Sequence, residues 1–182
     1  VLDLRMACLD RKRQEMKDLV DIYSERLDSR TLDRVVAAAD KLSPIAGCAD
    51  VANLRAVVPL PEDPATRARV RSLRERLSRS RALHDAGRYE QGRDYMLSLK
   101  KEADGVGYAP LTAEAANALG THLALAGQFK EAEQAFFDAA NHAVEGRDSN
   151  QEAESWLGLL DNYGQAAVVV ECRLAARAAA LA

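Results

Sequence analysis

The sequence predicts an all-α fold of helical hairpins stacked in line behind an N-terminal helical hairpin. Three observations predict it. Apolar residues make up 48% of the 182 but aromatics only 5%, so Ala and Leu, both good helix formers, carry much of the apolar content. Apolar positions recur at three and four instead of alternating, and VVVEC at 168–172 is the one strand-like run. Finally, HDAGRYEQGRDYMLSL returns as LALAGQFKEAEQAFFDA, which aligns Gly87 with Gly127, Tyr89 with Phe129 and Met96 with Phe136 at a spacing of 40 residues.

The first helix is expected over 2–27, with Leu2, Met6, Leu9, Met16, Leu19 and Ile22 or Tyr23 as its apolar stripe. Asp28 and Ser29 break it, and Ser29 or Thr31 suits the cap of a second helix over 32–42. Ser43-Pro44 ends that helix, because the residue before proline is pushed out of the helical region. A short helix is expected over 50–57, closing an N-terminal unit at 1–58. The connector at 59–64 holds Pro59, Pro61 and Pro64, with Asp63 placed to cap the next helix and Pro64 to begin it. Repeats then fill 65–182, divided near 65–106, 111–146 and 151–182, with Gly87 and Gly127 at the hairpin turns and Ala167 where a third glycine would stand.

Within 67–81, RARVRSLRERLSRSR carries one acid, Glu75. At about 100° per residue its arginines point around the helix and leave Val70, Leu73 and Leu77 as a narrow apolar stripe. That spread, with a net charge of −3, argues against a nucleic-acid partner. No run approaches the ~20 apolar residues of a membrane span, so no direct insertion into a bilayer is expected. VLDLRMACLDRKRQEM opens without an initiator methionine and reads as the inside of a helix, so the sequence is expected to be a piece of a longer chain.

The residues of the repeat resemble the tetratricopeptide family. Ala116, Leu119, Gly120 and Leu123 take the register of its first helix, and Gly127, Phe129, Ala132, Phe136 and Ala139 that of its turn and second helix. Trp156, Leu159 and Tyr163 match the first helix of the next unit, while Ser80 and Gly92 take small positions in the weaker first unit. The resemblance implies a right-handed solenoid with a concave groove, and packing roles for Gly120, Gly127, Phe129, Ala132, Phe136, Trp156 and Tyr163. Groove-lining residues in this family come from first helices, which nominates Glu114, Asn117, His122 and Asn162 as outward polar contacts. Asn is a poor helix former on an Ala- and Leu-rich helix, although a solvent-facing Asn without a role is the alternative.

A wider resemblance spans nearly the whole chain. LRMACLDRKRQEM, DRVVAAADKLSPIAGCAD and PLPEDPATRARVRSLRERLSRSRALHDAGRY are similar to the region that follows the kinase domain in myxobacterial serine/threonine protein kinases. In that family a membrane span usually precedes such a region, which implies a sensory or scaffolding part and not the kinase itself. The sequence holds no Gly-rich phosphate loop, VAIK, HRD or DFG motif.

No constellation points to catalysis, a metal or a cofactor. His84, His122 and His142 lie at least 20 residues apart, although His122 and His142 fall on the two arms of one hairpin and have room to meet. There is no GxSxG elbow, and the carboxylates alternate with Arg and Lys as solvated faces do. Cys8 and Cys48 lie equally far on either side of a turn near Asp28 and so face each other in an antiparallel hairpin. Two buried thiols or a disulfide both fit that placement. A disulfide implies an oxidising, extracytoplasmic compartment, and a cytoplasmic one stays open. Cys172 reads as a plain core residue. The function expected is contact with a protein or peptide partner, the other reading being a homodimer formed through the terminal repeats, where CRLAARAAALA suits close helix packing.

Overall fold

The computed structural model describes residues 1–25, 32–55 and 58–180, with side chains there except at 53, 55, 168 and 170–180. Among these residues the protein is all-α. The expected turn at Asp28, the caps Ser29 and Thr31, and the side chain of Cys172 lie outside the described residues.

Helix α1 spans Leu2–Glu25 and turns Cys8, Leu19, Ile22 and Tyr23 inward. The expected stripe is split by this choice. Leu2, Met6, Leu9 and Met16 are exposed, because the buried side is the one that carries Cys8, Leu19 and Ile22, with polar Lys12 and Glu15 between them. The chain returns along α1 in three short pieces: α2 (Val35–Asp40), within the helix expected over 32–42, a 3-10 turn (Ile45–Ala49) that was not expected, and α3 (Val51–Arg55), within the short helix expected over 50–57. Ser43-Pro44 makes the break, with Pro44 extended at ψ 137°. Cys8 and Cys48 are joined in a disulfide, their Cα atoms 5.6 Å apart, and with Leu54 they form a small buried cluster.

Helix α4 (Pro64–Asp85) starts as the sequence requires. Pro64 is its first residue, and the Asp63 carboxylate accepts from Thr66 N–H at 2.7 Å and from its hydroxyl at 2.6 Å. Then follow α5 (Tyr89–Asp104), α6 (Ala109–Leu125), α7 (Phe129–Glu145) and the 32-residue α8 (Ser149–Ala180). Each packs on the next, and α4, α6 and α8 also touch in succession, so the hairpins α4–α5 and α6–α7 stack along one direction. Leu19, Ile22 and Tyr23 of α1 cover Ala82, Leu83 and Ala86 of α4, which seals the first face of the stack.

The turns keep a strict beat. Gly87, Gly107 and Gly127 have φ of 73°, 70° and 77°, and Arg147 takes the next place with φ 55°. After Gly87, Gly127 and Arg147 the following N–H bonds back to the carbonyls of Leu83, Leu123 and Ala143, each at 2.9 Å, which closes the preceding helix. Twenty residues after Arg147 stands Ala167, and there α8 runs straight on. As far as residue 180 the unit expected over 151–182 is therefore one helix and not a hairpin, and VVVEC is helix, not strand.

The main core joins Val70, Leu73, Met96, Leu99, Leu111 and Phe136 across the helices, closing on Leu159. Phe136 is its keystone. A Cβ added to Gly120 of α6 would lie 2.9 Å from the Phe136 ring, and one on Gly158 of α8 would overlap it. Trp156 and Tyr163, expected inside with it, are instead 43% and 44% exposed, because no second arm of a third hairpin covers α8. Gly127 serves the turn and touches no neighbour, and Phe129 is half-buried above Ala132, which is fully buried.

Two substitutions test these readings by urea unfolding. Gly158→Ala, helpful in an exposed helix, is expected to destabilise by about 1–3 kcal/mol through overpacking against Phe136. Arg147→Gly is expected to stabilise by roughly 0.5–1 kcal/mol by relieving the left-handed backbone. A neutral Gly158→Ala would show that the ring has room to move, and a destabilising Arg147→Gly that its side chain matters more than its backbone.

Candidate functional site

The first arms of the hairpins, α4 and α6, carry equivalent positions side by side. Arg74 of α4 meets Glu114 of α6 in a forked pair: Nε lies 3.1 Å from each carboxylate oxygen, and Nη2 donates to Oε1 at 2.6 Å. The guanidinium also lies 5.8 Å from the centre of the Tyr108 ring, and Tyr108 Oη donates to the carbonyl of Pro59 at 3.0 Å. Both charged side chains remain about a quarter exposed. Glu114 is therefore a surface group held in place by a cation, not a free one.

One turn further along α6, Asn117 is half-buried, and its Oδ1 is buried with no hydrogen-bond donor among the described residues. Thr121, four residues on, donates its hydroxyl to the Asn117 carbonyl at 3.0 Å and so stays on that face. Glu114, Asn117 and Thr121 thus follow each other along one side of α6, with a fixed charge at one end and an unfilled acceptor in the middle.

The other two groove candidates do not belong there. His122 is 1% exposed, wedged between α4 and α5 instead of facing outward. Its Nε2 sits 2.9 Å from the Ser80 hydroxyl and 3.2 Å from the Ser80 carbonyl oxygen; a carbonyl only accepts, so Nε2 carries the proton. The ring fills the space that Gly92 leaves, where any Cβ would overlap it. Asn162, also 1% exposed, donates Nδ2 to the carbonyl of Phe129 at 3.0 Å and ties α8 to the start of α7. Both are polar pins between helices. Their sequence neighbours gave no sign of this, since the groups they engage lie more than thirty residues away.

His122 has no histidine partner on its own hairpin. It lies 6.1 Å, ring centre to ring centre, from His84, while His142 pairs with Glu145 at 3.1 Å. Among the described residues no group of three His, Cys, Asp or Glu is placed to hold a metal. Four of the seven arginines of α4 disperse to separate acids, Arg74 to Glu114, Arg76 to Glu102, Arg79 to Glu25 and Arg81 to Glu15, and Arg67 donates to the carbonyls of Pro61 and Glu62. They brace α4 against α1, α5 and α6 instead of forming one cationic face. No described helix is long and apolar enough to cross a membrane.

Burial, with His84 beside it, pushes the His122 imidazole down to about 4 from its ordinary 6.5. The unfolded chain takes up a proton below pH 6.5 that the folded chain refuses until about pH 4. Stability from this group is complete above pH 6.5 and falls as pH drops through that window, by about 3 kcal/mol in all. Urea midpoints from pH 7.5 to 4 are expected to show the loss, and His122→Leu to remove that part of the slope. An unchanged slope in the variant would place the titration elsewhere. No family model matches the chain, and neither a curated protein nor a solved structure does.

Proposed function

We propose that the chain is a non-catalytic protein-interaction module, a scaffold or sensory part of a larger bacterial protein, which docks an extended segment of a partner along α6. The reading draws on the resemblance to tetratricopeptide arrays and to the region after the kinase domain of myxobacterial serine/threonine protein kinases. Stacked hairpins provide the frame such a role requires. The observation that carries it is the ordered polar row on α6, where the Arg74–Glu114 fork stays about a quarter exposed beside the half-buried Asn117. The Asn117 amide would meet the backbone of a bound segment, and the forked pair would offer that segment's polar groups a guanidinium and a carboxylate held in fixed positions. The Cys8–Cys48 disulfide supports an oxidising, extracytoplasmic setting for this docking.

The test is a screen of immobilised random peptides with labelled protein, repeated with Asn117→Ala. The wild type is expected to select one class of related peptides, and the variant to bind them about 2–10-fold more weakly, the loss of one hydrogen bond. A screen without selected peptides, or one that Asn117→Ala leaves unchanged, would sink the proposal.

A further inference from the structure

The stack leaves an apolar face of α8 uncovered. Trp156, Leu157, Leu160 and Tyr163 are 43%, 64%, 66% and 44% exposed along little more than two turns. Phe137 of α7 extends the patch, its ring edge-on to Trp156 with centres 5.8 Å apart. A contiguous exposed patch of this kind marks a surface that binds something.

The repeat itself says what shape of object belongs there. One period back, the positions of Trp156, Leu160 and Tyr163 are Ala116, Gly120 and Leu123 of α6, all buried. Gly120 lies directly under Phe136 of α7, so this is the side that a first arm turns to its own second arm. On α8 that side is open, because the chain does not turn at Ala167 and the would-be second arm continues in line as the distal half of the same helix. The distal sequence keeps the character of a second arm: Cys172 and Ala179, one period after Ala132 and Ala139, are again small. Its 14 residues from 167 to 180 span about 21 Å, enough to cover the open face.

Charge points the same way. The proximal half, 149–166, holds Glu152, Glu154 and Asp161 with no Lys or Arg, while 167–180 holds Arg173 and Arg177 against one acid, Glu171. Two α8 helices laid antiparallel set acidic halves opposite basic halves at both ends. A straight helix cannot bring its own two halves together, but two copies can exchange them.

We propose that α8 is an opened hairpin that pairs with a second copy of this chain: the distal half of each α8 fills the second-arm place on the proximal half of the other. This is an isologous exchange, closed at two chains. It stands independently of the α6 docking reading.

Trp156 is the sole tryptophan and sits in the proposed interface, so mass and environment can be read together. Light scattering and tryptophan emission are followed on the oxidised full chain from about 0.1 to 100 μM, with non-reducing electrophoresis of the same samples so that intermolecular disulfides do not count. The expected result is a rise from 19.8 kDa to twice that mass, with a blue shift of the emission over the same range. Leu160→Glu and, separately, Leu157→Glu are expected to hold the chain monomeric at unchanged helical circular dichroism, since both side chains are largely exposed in the single chain. A monomer with red, exposed emission at all concentrations overturns the proposal. So does a monomer with shielded Trp156, which would mean the chain covers its own face. A dimer that forms without an emission change, or that both variants leave intact, places the contact elsewhere and equally overturns it.

Discussion

The architecture depends on where the backbone is allowed to turn. A left-handed residue closes a helix at 87, 107, 127 and 147, so every arm between them has the same twenty-residue allotment and adjacent arms run antiparallel at matched length. Matched arms are what let α4, α6 and α8 lie against one another while α5 and α7 back them. Glycine supplies the conformation three times without strain; at the fourth place Arg147 adopts it under the pull of two well-capped neighbours. Where the conformation is withheld, at Ala167, the alternation of arms stops and a helix of 32 residues results.

Between the turns, approach is governed by size more than by hydrophobicity. Phe136 lies between Gly120 and Gly158, and His122 over Gly92, so a large ring from one helix is received by a glycine of another. Imidazole is an unusual choice for such a slot. It is tolerated because Ser80 offers both a hydroxyl and a carbonyl oxygen to its one N–H, leaving the ring neutral inside the stack. Asn162 repeats the device at the next interface by donating to the Phe129 carbonyl. Polar pins of this kind fix the rotation of one helix against the next, which apolar contacts alone define loosely.

Much of this was legible in the sequence. The glycine at 87 recurring at 127, the proline-rich connector with Asp63 before Pro64, and the alanine- and leucine-rich arms locate the helices from local chemistry alone. Ala167 was equally visible as a missing glycine, but its consequence, an unbroken α8, was not, since Arg147 turns the chain at the preceding place without one. What stayed hidden depended on contacts distant in the chain. His122 and Asn162 look like outward polar residues on small apolar helices, and only Ser80, Gly92 and Phe129 reveal that they point inward. On α1 the expected stripe is buried only at Leu19, Ile22 and Tyr23, where it meets α4, while toward its start the helix turns Cys8 to the disulfide and leaves Leu2, Met6, Leu9 and Met16 exposed. Arg147 carried no signal at all, since nothing in its type announces a left-handed backbone.

The Cys8–Cys48 crosslink gives the stack a direction. In a linear array each hairpin is supported only by its neighbours, so loss of structure starts at an end and travels inward like a zipper. At one end the covering element, α1 and its return segment, is closed into a covalent loop, so its two parts can leave α4 only together. At the other end α8 rests on α6 and α7 through non-covalent contacts alone among its described residues. The cover on α4 therefore comes and goes as one piece, whereas α8 can loosen from α6 and α7 one turn at a time.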